Sequence, residues 1–124
     1  MITVLGWSGV VLLFVLGTHY VLRKLAKSSL TYHGTFKQLS KLSKKIHPFI
    51  GILLLAIGLL HGNMALGRLV LHTGTILWSS VLVMFLLIVL FKSLKKGIFL
   101  KMHRVFAVVT FLLLGLHLFA RNIV

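Results

Sequence analysis

The chain has no cysteine, no aspartate and no glutamate, and a single proline, Pro48. Without cysteine there are no disulfides, no thiolate ligands, no iron-sulfur clusters and no thioether attachment of a cofactor. Without carboxylates there is no carboxylate proton relay of the kind found in membrane pumps. Nor is there a nucleophile motif or a glycine-rich phosphate loop after a strand, so catalysis by side chains is not expected. What fills the sequence instead is apolar: 59% of 124 residues are hydrophobic, more than a small soluble core can hide. Four runs, residues 2–22, 46–66, 73–91 and 105–120, match the roughly 20 residues a helix needs to cross the hydrocarbon layer. The expected fold is an all-α integral membrane protein, a four-helix transmembrane bundle making a single domain over residues 1–124. No Lys or Arg precedes the first run and Arg23, Lys24 and Lys27 follow it, so it reads as a retained helix and not a secretory signal.

Fourteen Lys and Arg against no acid give a formal charge of +14. Their distribution excludes a nucleic-acid face, because they cluster beside the apolar runs. Seven lie between Arg23 and Lys45, one is Arg68, five lie between Lys92 and Arg104, and one is Arg121. By the positive-inside rule the first and third connections face the cytoplasm and both termini lie on the outer side. The expected location is the plasma (cytoplasmic) membrane, with the basic clusters attracted to anionic lipids by roughly 1 kcal/mol per residue near the surface. In the first connection Leu39 and Leu42 stand among evenly spaced lysines, a pattern that fits either an amphipathic interfacial stretch or a solvated loop. Ser43 is the expected N-cap of the second helix, with Pro48 in its first turn.

Ionisable groups inside a bilayer are costly, which makes the histidines functional candidates. His47 and His61 are 14 residues apart, and so are His103 and His117. Fourteen residues of helix climb about 21 Å and return to within about 40° of the same face. The same spacing links His19 to His33 and His33 to His47 across the basic loop, so depth singles out the four. His47 and His103 adjoin the cytoplasmic clusters, whereas His61 and His117 precede an outer arginine. Helices two and four both run outward, so an imidazole from each at each level would provide two axial nitrogens for an iron, at two levels within a core of about 30 Å. Satisfied interior histidines and a bare metal site are the alternatives. Gly51 and Gly58 lie on the ligand face of helix two, as Ala107, Thr110 and Leu114 do on helix four. Small residues there admit a flat macrocycle or allow close helix packing. Two noncovalent b-type haems would also supply the missing negative charge through their propionates, with Arg68 and Arg121 placed for the outer pair and Lys44, Lys45, Lys101 and Arg104 for the inner.

The segments HPFIGILLLAIGLLH (47–61) and HRVFAVVTFLLLGLH (103–117) resemble the two ligand helices of ferric-reductase-like transmembrane cytochromes. The resemblance implies electron transfer between membrane faces, with His47 and His103 on an inner haem and His61 and His117 on an outer one. Such proteins commonly have six helices and a flavin and nicotinamide domain. With neither here, a separate donor, a quinol or a flavoprotein, and an extracytoplasmic acceptor are expected, in the setting of a larger redox complex. Two other readings stand beside it: the cytochrome b anchor of a quinone-linked dehydrogenase or hydrogenase, and a non-redox basic scaffold or pore. His19, His33 and His72 have no partner at matching depth in this reading. Trp7 and Trp78 fit an aromatic belt or packing near a haem equally well.

Overall fold

Hydrocarbon offers a backbone amide no hydrogen-bond partner, so an apolar run in a bilayer folds as a helix that satisfies its own N–H and C=O groups. The computed structural model describes residues 1–28, 33–67 and 72–120. They form α1 (Ile2–Ser28), α2 (His33–Leu66), α3 (Thr73–Leu94) and α4 (Gly97–Phe119). Each helix is long and apolar enough to cross a membrane. The chain is thus a multi-pass, all-α membrane bundle. α1 packs along α2 and α3 along α4, giving two hairpins joined by a lighter α2–α3 contact. α2 and α4 touch little directly and face each other across the bundle. Phe111 of α4 also reaches α1, where its ring stands 5.7 Å from that of Phe14, edge to face.

The core is at mid-depth, built from Leu13 of α1, Leu54 of α2, Val81 and Met84 of α3 and Leu114 of α4. Within it Thr110 is 0% exposed, its hydroxyl oxygen 2.7 Å from the Phe106 carbonyl and 3.0 Å from Ser80 Oγ, which lies 2.7 Å from the Leu77 carbonyl. Each hydroxyl has one proton, so one of the two donates across to the other, which donates to its own helix's carbonyl. The outward faces carry bare apolar side chains such as Phe49, Val108 and Leu112. Such a surface would drive association in water and is the natural boundary with lipid.

α3 ends in a left-handed cap at Lys95 (φ 52°), whose N–H bonds the Phe91 carbonyl, and Lys96 turns the chain into α4. Gly67 plays the same part after α2, at φ 63°, with its N–H 2.8 Å from the Asn63 carbonyl. A glycine there avoids the steric cost of a side chain in the left-handed region.

The helices outrun the apolar runs, chiefly at the basic end. α2 begins at His33 instead of residue 46, α4 at Gly97 instead of 105, and α1 continues to Ser28. Ser43 is therefore not an N-cap, and Pro48 lies inside α2. Lacking an N–H, Pro48 cannot donate to the Lys44 carbonyl, a loss that membrane helices accommodate. The expected first connection is mostly two helical extensions, and of it only residues 29–32 lie outside the described residues. Hydropathy marks where lipid lies, whereas Lys, Leu and Gln continue a helix readily into the headgroup region. Leu39 and Leu42 line a small apolar notch against Val15, Leu16 and Leu22 of α1.

Unfolding in mixed micelles should separate the two kinds of core contact. Leu114→Ala is expected to cost about 2–5 kcal/mol through the space it leaves. Thr110→Val, which removes one interhelical hydrogen bond, should cost only about 0.6 kcal/mol.

Candidate functional site

α2 carries His47 and His61, and α4 carries His103 and His117. The fold sets them at two levels: one at the basic end, and one at the opposite end, where α1 begins and α4 finishes. At the opposite end a cavity of about 490 Å³ opens between the helices, with His61, His72 and His117 on its walls and Leu13, Leu54, Val81 and Leu114 of the core among its lining. Pockets that enclose cofactor-sized ligands run to about 300–1,000 Å³.

The rings at this end are held in place. His61 Nδ1 stands 3.1 Å from the Ile2 carbonyl oxygen. A carbonyl only accepts, so Nδ1 carries the proton and, in the neutral ring, Nε2 keeps its lone pair. The ring rests on Gly6, where a Cβ would come within 3.0 Å of His61 Cε1. His117 repeats the arrangement in the second hairpin. Its Nδ1 lies 3.0 Å from the Thr73 hydroxyl, and its ring rests on Gly74, where a Cβ would lie 3.1 Å from Cε1. Each histidine thus leans on the start of the preceding helix. His72, at the start of α3, joins them through its Nδ1, 3.4 Å from the same Thr73 hydroxyl.

At the basic end the rings of His47 and His103 stand 6.3 Å apart, centre to centre, at 68°. His103 Nδ1 donates to the Met84 carbonyl at 2.9 Å, again leaving the lone pair on Nε2. His47 Nδ1 is buried and has no hydrogen-bond partner. Beside it lies His19, its ring centre 5.0 Å from that of His47 and its Nδ1 2.9 Å from Ser43 Oγ. Among the described residues no three histidines converge into a cage for a bare metal ion.

His19 and His72, expected to lack partners by depth, therefore stand with the basic-end pair and in the opposite cavity respectively. The sequence pattern does not reveal this, because it carries no record of which helix stands beside α1 or α3. The seats Gly6 and Gly74 and the hydrogen-bond partners Ile2, Thr73 and Met84 are hidden from the sequence for the same reason. A backbone carbonyl has no sequence signature, and a glycine becomes a seat only when a ring lies on it.

Gly58 lines the cavity, but its nearest neighbour is Trp78, whose Cδ1 would be 2.8 Å from a Cβ. Trp78 Nε1 donates to the Leu55 carbonyl at 3.0 Å. Gly51 has nothing within 4 Å of its Cβ position. Arg104, Lys44, Lys45 and Lys101 are exposed at the basic end, whereas Arg68 and Arg121 lie outside the described residues. No family model, curated protein or solved structure matches the chain. The likeness to ferric-reductase-like cytochromes thus rests on residues 47–61 and 103–117 alone.

The two candidate glycines should respond differently to a methyl group. Gly51→Ala is expected to stabilise α2 by about 0.5–1 kcal/mol. Gly58→Ala should displace Trp78, lower stability by about 1 kcal/mol through its lost hydrogen bond, and shift the tryptophan emission. Unfolding curves and fluorescence of the two variants check both.

Proposed function

We propose that this chain carries electrons across the plasma membrane through two b-type haems, held by His47 and His103 at the basic end and by His61 and His117 at the opposite end. The observation that carries this is the state of the rings. α2 and α4 present a pair of histidines at each of two levels, and at least one ring of each pair has its Nδ1 proton bound to a carbonyl, which leaves Nε2 as the donor atom. Metal-bound histidines are oriented in this way, with the second nitrogen donating to a carbonyl or similar acceptor.

Each bound haem would supply one-electron iron chemistry, with its potential set by the axial pair and its surroundings. The chain's own residues do the rest. Gly6 and Gly74 let the rings of His61 and His117 lie close to the neighbouring helix, and Ile2 and Thr73 fix their rotation. Leu13, Leu54, Val81, Met84 and Leu114 fill the space between the levels with apolar packing, which keeps water and ions from following the electron. Lys44, Lys45, Lys101 and Arg104 supply cations for carboxylate groups near His47 and His103, and Arg68 and Arg121 follow His61 and His117 closely in sequence. The basic end faces the cytoplasm and its anionic lipids under the positive-inside rule. Electrons enter there from a quinol or a flavoprotein subunit and leave to an extracytoplasmic acceptor.

A reduced-minus-oxidised visible spectrum with pyridine-haem quantification, on chain purified from haem-sufficient cells, tests the proposal. Two b-type haems per chain are expected. His47→Ala and His103→Ala should each remove the same one, the double variant should remove no more than that, and His61→Ala and His117→Ala should remove the other. A colourless chain would sink the reading.

A further inference from the structure

Three of the four proposed ligands have an Nδ1 that is already held: His61 by the Ile2 carbonyl, His117 by the Thr73 hydroxyl and His103 by the Met84 carbonyl. His47 alone has a buried Nδ1 without a partner. A histidine that binds iron through Nε2 carries its proton on Nδ1, and in a water-poor site that proton needs an acceptor. The chain has no carboxylate to offer. The charged side chains close by in sequence, Arg23 on α1 and Lys44 and Lys45 on α2, are donors only.

We infer that His19 is the acceptor, a positioning residue that takes the Nδ1 proton of His47 in a hydrogen bond and so orients the basic-end ligand and strengthens its donation. The two ring centres are 5.0 Å apart. A nitrogen–nitrogen hydrogen bond of about 2.9 Å, plus about 1.1 Å to each ring centre, spans about 5.1 Å; the structure has the rings at this separation but tilted by 45° and the bond not closed, so that turning the rings to face each other completes it. The protons also balance. His19 Nδ1 lies 2.9 Å from Ser43 Oγ, and a proton on that nitrogen, donated to the hydroxyl oxygen, leaves the lone pair on Nε2 free to accept from His47. Ser43 lies four residues before His47 on α2, so His19 of α1 bridges two successive turns of one helix. The result is a chain from Ser43 through His19 to His47, in which each bond polarises the next. The other three ligands lean on a carbonyl or a hydroxyl, so this link makes the basic-end site unlike the opposite one.

The effect on iron rests on the proposed function, but the hydrogen bond does not. Both are read by comparing the wild-type chain, His19→Leu and His19→Gln, purified with haem. The readouts are potentiometric titration of each haem, haem transfer to an excess of apoprotein scavenger, and NMR of chain labelled with ¹⁵N-histidine. The wild type should show coupling between His19 Nε2 and His47 Nδ1. In His19→Leu the basic-end haem, recognised by its absence from His47→Ala, should move to a higher potential and lose about 10–100-fold in affinity. The other haem should not move. His19→Gln, whose amide accepts from His47 and donates to Ser43, should restore both values. Absence of the coupling, or equal shifts in the Leu and Gln variants, would overturn the assignment of His19. A colourless chain that still shows the coupling would overturn the cytochrome reading and leave the His19–His47 pair standing.

Discussion

A polar hydrogen in hydrocarbon must find an acceptor inside the protein, and leaving it without one costs several kcal/mol. The backbone meets this demand by becoming helical. The side chains meet it by reaching the helix next door. The hydroxyls of Ser80 and Thr110 close on each other and on the Leu77 and Phe106 carbonyls, and Trp78 of α3 donates to the Leu55 carbonyl of α2. For histidine the same demand has a chemical consequence, because satisfying one ring nitrogen decides the state of the other.

The histidines therefore act as pins between helices as well as candidate ligands. His61 ties the end of α2 to the start of α1, His117 ties the end of α4 to the start of α3, and His103 ties α4 to the middle of α3. Every one of these ties lies within a hairpin. Across the bundle, α2 and α4 have little packing of their own, and His47 approaches His103 at the basic end. The two pinned hairpins share the mid-depth core, and at the opposite end a cavity opens between them.

Much of this was legible in the sequence. The four spans are long uninterrupted runs whose meaning depends only on bilayer thickness, and they fold as helices where expected. Their ends were less legible. Helix propensity, not hydropathy, decides how far Lys37, Gln38 and Lys41 prolong α2 towards His33, so a boundary drawn at residue 46 stopped short. Gly51 and Gly58 share a helical face with His47 and His61, yet one has open space before it and the other a tryptophan. Helical periodicity gives a residue's face but not what stands opposite.

Taken alone, the amino-acid order determined that the chain lives in a membrane, that it crosses as four helices, and that two of them carry histidines at a common pair of depths. These follow from composition and from the rise and rotation of one helix, which are local quantities. Tertiary structure decided the rest: that His19 joins His47, that His72 joins the cavity, and that glycines on α1 and α3 receive rings from α2 and α4. Such contacts join residues far apart in the chain, 59 positions in the case of His61 and Ile2. They depend on which helix is neighbour to which and on how each is turned about its axis, and no single helix's sequence carries that information.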